Sequence, residues 1–306
     1  MTSSNNKNSC YSREDGKKLK EMPQTSWKPI LSVSDRVEVT SAIESGDVLF
    51  FPNLSFKLAE SEKRFLSPSY VHPQSKNVSL NASGHLRAAL CSAEENALLK
   101  VMLQRFSDYA YDLAVSLFPS YVESLKKGRT SFRPTEVAGR KSSDRKDDTR
   151  LHIDAFPATP NQGQRILRVF SNINPNGQDR HWRLGEPFYD VVSRFLPRTT
   201  SQWVGKAALL KFFRITKSMR TEYDNRMLRI HDLMKLDLKY QASVAYQDIY
   251  FPPQTTWVVY TDQVSHAALS GQHMLEQTFY LPPDAMQDPS RSPLSVLEKM
   301  LGRSLV

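Results

Sequence analysis

Three residues of this chain combine the types and spacing of a metal site: His152 and Asp154 in the segment LHIDAFP, and His266 far downstream. On an extended strand alternate side chains leave by the same face, so an imidazole and a carboxylate two positions apart project side by side. With a second imidazole they make the two-histidine, one-carboxylate face of a non-heme iron(II) centre, which keeps coordination positions open for cosubstrate and dioxygen. His266 closes the strand-like run TTWVVYTDQVSH, and Ser270-Gly271 just beyond it reads as a hairpin turn. On spacing alone a second reading stays open, in which His152 and Asp154 are unrelated polar residues and His266 a core histidine.

An iron(II) oxygenase that uses 2-oxoglutarate also needs a cation for the distal carboxylate, because a buried anion without a partner is costly. Many such enzymes carry it on the last barrel strand, ten or eleven residues after the distal histidine, where this chain has Glu276 and Gln277. The replacement expected here is Arg168, which interrupts the apolar run RILRVFSNINP and can grip a carboxylate through two parallel hydrogen bonds. Jumonji-type hydroxylases place their cation similarly, on the strand shortly after the His-x-Asp pair. Asn172 shares the strand face of Arg168 at period two, and Thr149 offers a hydroxyl beside the metal strand. The alternative for Arg168 is an ion pair with a structural acid.

Positioning these residues requires strands that meet at one end of a barrel. Residues 1–25 are Ser/Asn/Lys-rich and read as a disordered tail, followed by a single catalytic domain over 26–306. Within it, 26–129 reads as a helical N-terminal part, 130–281 as the β core and 282–306 as a C-terminal helix. Ser92 and Glu95 form a capping box, and Leu98, Met102, Phe106, Tyr109, Leu113 and Leu117 then recur at helical spacing. Strand texture marks 47–52, 151–156, 166–173, 246–251, 255–261 and 275–281, and a helix is expected near 218–236. Pro68 to Gly84 reads as loop. Strands dominate the second half without βαβ alternation, which predicts an α+β fold. Its mainly β core is a double-stranded β-helix, a cupin-like jelly roll, with helices packed outside.

Composition narrows the field. No two of the 11 glycines are spaced Gly-x-Gly, which excludes a P-loop and a dinucleotide fingerprint. The two cysteines, Cys10 and Cys91, are too far apart in sequence to suggest a disulfide framework or thiolate metal site. No signal peptide or long apolar run is visible, and a cytosolic protein able to touch a membrane surface is expected. The net charge of +9 is concentrated: residues 126–150 hold nine Lys/Arg against Glu136, Asp144, Asp147 and Asp148. Such a patch suits a polyanion or an anionic membrane surface, or else is a solvated loop.

LHIDAFP, RILRVFSNINP, RMLRIHDLMKLD and YTDQVSHAALSGQHMLEQTF together resemble the Kdo hydroxylases, over roughly 130–280 in strong blocks and more loosely before them. These enzymes hydroxylate carbon 3 of 3-deoxy-D-manno-oct-2-ulosonic acid in lipopolysaccharide, giving the octulosonic acid Ko. The resemblance implies His152, Asp154 and His266 as iron(II) ligands. It implies 2-oxoglutarate as cosubstrate, with succinate and CO2 as co-products. The substrate it implies is Kdo-bearing lipid A or a precursor, an anionic partner that makes sense of the charge and implies peripheral contact at the inner face of the inner membrane. Arg133 and Arg140, then Arg180 and Arg183, are the candidate contacts for its carboxylate or phosphates. Two other readings remain at this stage. One is a 2-oxoglutarate oxygenase for protein or nucleic acid, disfavoured because no aromatic platform interleaves the basic residues. The other is a cupin-like metal-binding module without catalysis.

Overall fold

A computed structural model describes residues 18–139, 143–200 and 219–306. Eleven strands form two sheets among the described residues. They are β1 (Leu19–Glu21), β2 (Val48–Phe51), β3 (Val78–Leu80), β4 (Leu86–Arg87), β5 (Lys126–Arg133), β6 (Arg165–Asn172), β7 (Arg180–Leu184), β8 (Gln247–Phe251), β9 (Thr255–Tyr260), β10 (His266–Ser270) and β11 (Met274–Leu281). The major sheet runs β1-β2-β9-β6-β11-β5-β3-β4 and the minor sheet β10-β7-β8. Every pairing is antiparallel except β1 with β2. Two antiparallel sheets with helices outside are the expected jelly roll.

The central strands of the major sheet are apolar on both faces because both are covered. Phe50, Phe170, Trp257 and Val259 point inward, where they meet Trp182, Leu184, Ile249 and Phe251 of the minor sheet. Their neighbours Leu49, Leu167, Val169, Val258 and Phe279 point outward, against α1 (Val33–Glu44) and α2 (Ala93–Leu117). The period of two sorts each strand into these two layers.

α2 begins at the expected capping box, with both reciprocal bonds between Ser92 and Glu95 in place. Its buried stripe is Leu99, Met102, Leu103, Phe106, Ala110, Leu113, Ala114 and Leu117. Leu98 lies only at its edge and Tyr109 is 37% exposed, so those two expected core positions are corrected.

Outside the minor sheet sit α3 (Phe188–Phe195), α4 (Glu222–Leu236), α5 (Leu238–Ser243) and α6 (Pro293–Leu301). Their apolar faces bury Val191, Phe195, Met227, Ile230 and Leu297 around Leu151, Ile153 and Ala267.

Several expectations are revised. The tail assigned to 1–25 gives way at Leu19–Glu21, which pair in parallel with Val48–Phe50; residues 1–17, with Cys10, lie outside the described residues. The N-terminal part is not purely helical, since β1–β4 extend the major sheet. Val78–Leu80, inside the segment read as loop, pairs with β5. Ser270-Gly271 is no hairpin turn: β10 pairs with β7 and β11 with β5 and β6, so the chain crosses there between sheets. That crossing needs glycine. Gly271 has φ +114°, and a Cβ would lie 2.8 Å from Arg180 Cδ and 3.0 Å from its Cα.

Candidate active site

His152, Asp154 and His266 converge, with one ligand atom from each lying within 4.8 Å of the others. The segment read as a strand over 151–156 is extended but makes only one bridge, His152 with His266. Each of these two residues donates its backbone N–H to the other's carbonyl, at 3.0 and 2.8 Å, and Asp154 donates to Thr261 O at 2.8 Å. Those bonds fix the register. Alternation then does the rest: Leu151 and Ile153 go to the helical layer and His152 and Asp154 to the barrel interior. His266 opens β10 rather than ending the preceding strand, which stops at Tyr260. Nearby Asp262 has a different task, a fully buried ion pair with Arg165 at 2.8 Å.

The donor set fits a divalent metal. Nδ1 of His152 lies 2.8 Å from Arg150 O, and Nδ1 of His266 2.8 Å from Val264 O. A carbonyl only accepts, so each Nδ1 carries the proton and each Nε2 keeps a free lone pair for a metal. Trp182 stacks on His266 with centroids 5.1 Å apart, and His231 meets His152 edge-on at 5.4 Å. Burial, with Lys235 and His266 nearby, holds His152 well below the ordinary histidine range; burial also lowers His266. Burial opposes ionisation of Asp154, but the Arg168 guanidinium and His266 outweigh it and hold the carboxyl below its usual range. Two neutral imidazoles and a carboxylate are the protonation states that metal ligation requires. Asp154 Oδ2 and Arg168 Nε are buried without hydrogen-bond partners, which is what a site shaped around further ligands leaves behind.

Asp154 opens into a cavity of about 650 Å3. Three strands of the major sheet line it at period two: Arg129, Ser131 and Arg133 on β5, Arg168 on β6, and Glu276, Thr278 and Tyr280 on β11. Lys76 and Arg87 complete a cationic rim, whereas the ammonium of Lys127 turns to α2 and pairs with Asp108 at 2.7 Å. Arg168 sits at the inner end, its Nη1 3.3 Å from Asp154 Oδ2 and 3.5 Å from Glu276 Oε1. Thus the acid-pairing alternative and the inward-facing cation are both realised. Arg133 lies 3.4 Å from Asp148, which also takes Lys76 at 2.7 Å and Lys235 at 4.0 Å.

The other described candidates are not brought to the cavity. Asn172 is consumed by structure: its amide donates to Gln178 O and Phe251 O and its oxygen accepts from Asn174 N. The Thr149 hydroxyl donates to Asp147 Oδ1 at 2.7 Å, within a turn. Arg180 is 2% exposed and donates to Gly271 O at 2.8 Å, bracing the crossover between sheets. Burial and the neighbouring Arg133 pull its pKa down. Arg183 pairs with Asp248 at 3.0 Å and covers the Tyr246 ring at 4.1 Å on the outer side of the minor sheet. Arg140 lies outside the described residues. Sequence reasoning missed Asp148, Trp182, His231 and Lys235 around the candidate metal face, and Lys76, Arg87 and Arg129 around the cavity. The alternation Arg129-x-Ser131-x-Arg133 was the available signal for β5; Lys76 and Arg87 are joined to it only by the fold.

A jelly roll carrying this buried face above a cationic cavity defines the class of non-heme iron(II), 2-oxoglutarate-dependent dioxygenases. Comparisons with known proteins agree. The family model for 3-deoxy-D-manno-oct-2-ulosonic acid (Kdo) hydroxylase matches residues 26–304. The crystal structure of the Kdo hydroxylase KdoO with alphaketoglutarate and Fe(III) is 45% identical, with a TM-score of 0.91 over 94% of this chain and 97% of that one. KdoO with cobalt(II) gives 45% and 0.92 over 95% and 98%, and KdoO with succinate and Fe(III) gives 45% and 0.91 over 95% and 98%. No curated protein sequence matches. The chain belongs to the Kdo hydroxylase family.

Proposed function

We propose that this enzyme hydroxylates carbon 3 of Kdo linked to lipid A or its precursor, with iron held by His152, Asp154 and His266. The observation that carries this reading is the opening of that metal face into a cavity lined by Arg129, Arg133 and Arg168. Iron(II) with 2-oxoglutarate supplies dioxygen activation, inserting one oxygen atom into a C–H bond as the cosubstrate becomes succinate and CO2.

The chain's own residues position and shield. The carbonyls of Arg150 and Val264 set the two imidazoles, and Trp182 holds the second ring in plane. Arg168, with a buried Nε lacking an acceptor, takes the distal carboxylate of 2-oxoglutarate. Arg133, with Lys76 beside it, takes the Kdo carboxylate, and Arg87 and Arg129 face the phosphorylated remainder of the lipid. No acid–base dyad is required of the protein.

A lipid-linked substrate brings the enzyme to an anionic surface at the inner face of the inner membrane. Among the described residues no helix is long and apolar enough to cross a membrane. Contact is therefore assigned to the cationic rim, and binding to anionic vesicles should weaken with salt.

The decisive assay follows succinate and lipid mass together, with iron(II), 2-oxoglutarate and Kdo-bearing lipid A. Succinate and a lipid heavier by one oxygen, both lost in His152→Ala, are expected. Succinate formation indifferent to the Kdo lipid would overturn the substrate assignment.

A further inference from the structure

The cavity holds one carboxylate that nothing above employs. Glu276 lies on β11 at 9% exposure, on the face shared with Thr278 and Tyr280. Its register partner on β5 is Ser131, and Thr278 lies opposite Arg168 of β6. The other two acids of the cavity are occupied. Asp154 belongs to the metal face, and Asp148 carries Lys76, Arg133 and Lys235. Glu276 is poorly served by comparison. Its Oε1 has Arg168 Nη1 at 3.5 Å and the Thr278 hydroxyl at 3.4 Å, both at the long limit of a hydrogen bond. Beyond these the side chain faces the open cavity, where its oxygens are reached by solvent rather than sealed off.

A carboxylate accepts through about four lone-pair sites, and a ligand that displaces water from Glu276 must supply donors in its place. An anionic group of a ligand cannot fill that need and is repelled by it. A neutral polyol can, because its hydroxyls donate to a carboxylate pairwise while their own oxygens accept from Ser131, Thr278 and Arg168. Arg168 bridges Glu276 to Asp154, so such hydroxyls would be held beside the metal face. Kdo lacks a hydroxyl at carbon 3 and carries one at carbon 4, next to the carbon to be oxidised.

We infer that Glu276 is a substrate-positioning residue that accepts hydrogen bonds from sugar hydroxyls, the carbon-4 hydroxyl foremost, and so sets carbon 3 toward the metal face. This assignment rests on the Kdo-hydroxylase reading and assigns Glu276 a task separate from cosubstrate binding. The same carboxylate would disfavour a ligand placing phosphate or carboxylate at this spot, which makes it a selectivity element for the sugar's orientation.

The test compares wild type, Glu276→Gln and Glu276→Asp on Kdo-bearing lipid A and on the analogue lacking the carbon-4 hydroxyl. It reads KM for 2-oxoglutarate and the ratio of succinate to hydroxylated lipid. For Glu276→Gln the expected result is a fall in kcat/KM for the lipid of about ten- to a hundredfold. Succinate should run in excess of product, with the KM for 2-oxoglutarate little changed. Glu276→Asp keeps the charge beside Arg168 but withdraws both oxygens, and should uncouple in the same way. The deoxy analogue should reproduce the defect in wild type and add little to it in Glu276→Gln. A rise in the KM for 2-oxoglutarate with tight coupling would overturn the inference and make Glu276 a support for Arg168. A full additional loss with the deoxy analogue in Glu276→Gln would overturn it equally. If wild type forms no succinate on the Kdo lipid, the substrate reading itself fails, which no property of the variants could mimic.

Discussion

The metal face and the cavity beside it are built in opposite ways. The face comes from two short segments joined by one reciprocal backbone bridge, and both imidazoles are pinned by their own neighbours' carbonyls. The cavity draws on β5, β6 and β11, on Lys76 before β3 and on Arg87 of β4, and its charges are held by exchangeable ion pairs. A rigid face suits a centre whose geometry must not change. Loosely paired cations suit a surface that must trade internal acids for the anions of two ligands.

The contrast can be broken or sharpened experimentally. The largest effect should follow removal of a proposed metal ligand: Asp154→Ala or His266→Ala should abolish hydroxylation while circular dichroism stays native, because the backbone bridge remains. Replacing the inner cation comes next. Arg168→Met should raise the KM for 2-oxoglutarate by about a hundredfold or more without loss of metal affinity. Arg168→Lys should recover part of it, since a point charge cannot form two parallel bonds. Steady-state kinetics with metal titration would show whether the two effects separate.

Asn172→Ala addresses a residue that shares the strand of Arg168 but not its task. It should cost about 1–3 kcal/mol of stability in denaturant unfolding and leave the KM for 2-oxoglutarate alone.

Asp148 offers a pH test. Burial opposes its ionisation, but Arg133 and Lys76 prevail and hold its carboxyl well below the usual range. A carboxyl depressed in the folded state contributes stability above its unfolded value of about 3.9, lost as pH falls toward the folded value. The Tm advantage of wild type over Asp148→Asn should therefore be present at neutral pH and shrink below about pH 4. An advantage unchanged with pH would show that this carboxylate is not stabilised by its cations. Smallest of all, Arg183→Ala on the outer side of the minor sheet should change kcat/KM for the lipid by no more than about twofold.

Much of the His152–Asp154–His266 cluster, proposed here to hold iron, was legible in the sequence because its information is local. His152-x-Asp154 needs only an extended backbone, and the apolar Leu151 and Ile153 mark the opposite face, which packs on the helical layer. The late strands and the capped helix α2 were legible for the same reason. The cavity was harder, because its residues meet through strand register. Arg168 stood out as a charge within an apolar run, and Arg133 within a basic one, whereas Lys76 and Arg87 had nothing to mark them. Asn172 and Thr149 show where period and proximity mislead: each lies where a ligand contact was expected, yet spends its polar atoms on backbone or a neighbouring turn. Arg180 and Arg183, expected as substrate contacts, lie on β7, one bracing the crossover at Gly271 and the other pairing with Asp248.

The most direct test of the centre is a cobalt(II) titration followed by visible absorption, on wild type, His152→Ala and His266→Ala, before and after addition of 2-oxoglutarate. The expected result is one equivalent bound by wild type, a spectrum that shifts with 2-oxoglutarate, and binding weakened in both variants. Cobalt bound with unchanged affinity and spectrum in either variant would contradict the assignment of His152, Asp154 and His266 as the metal face.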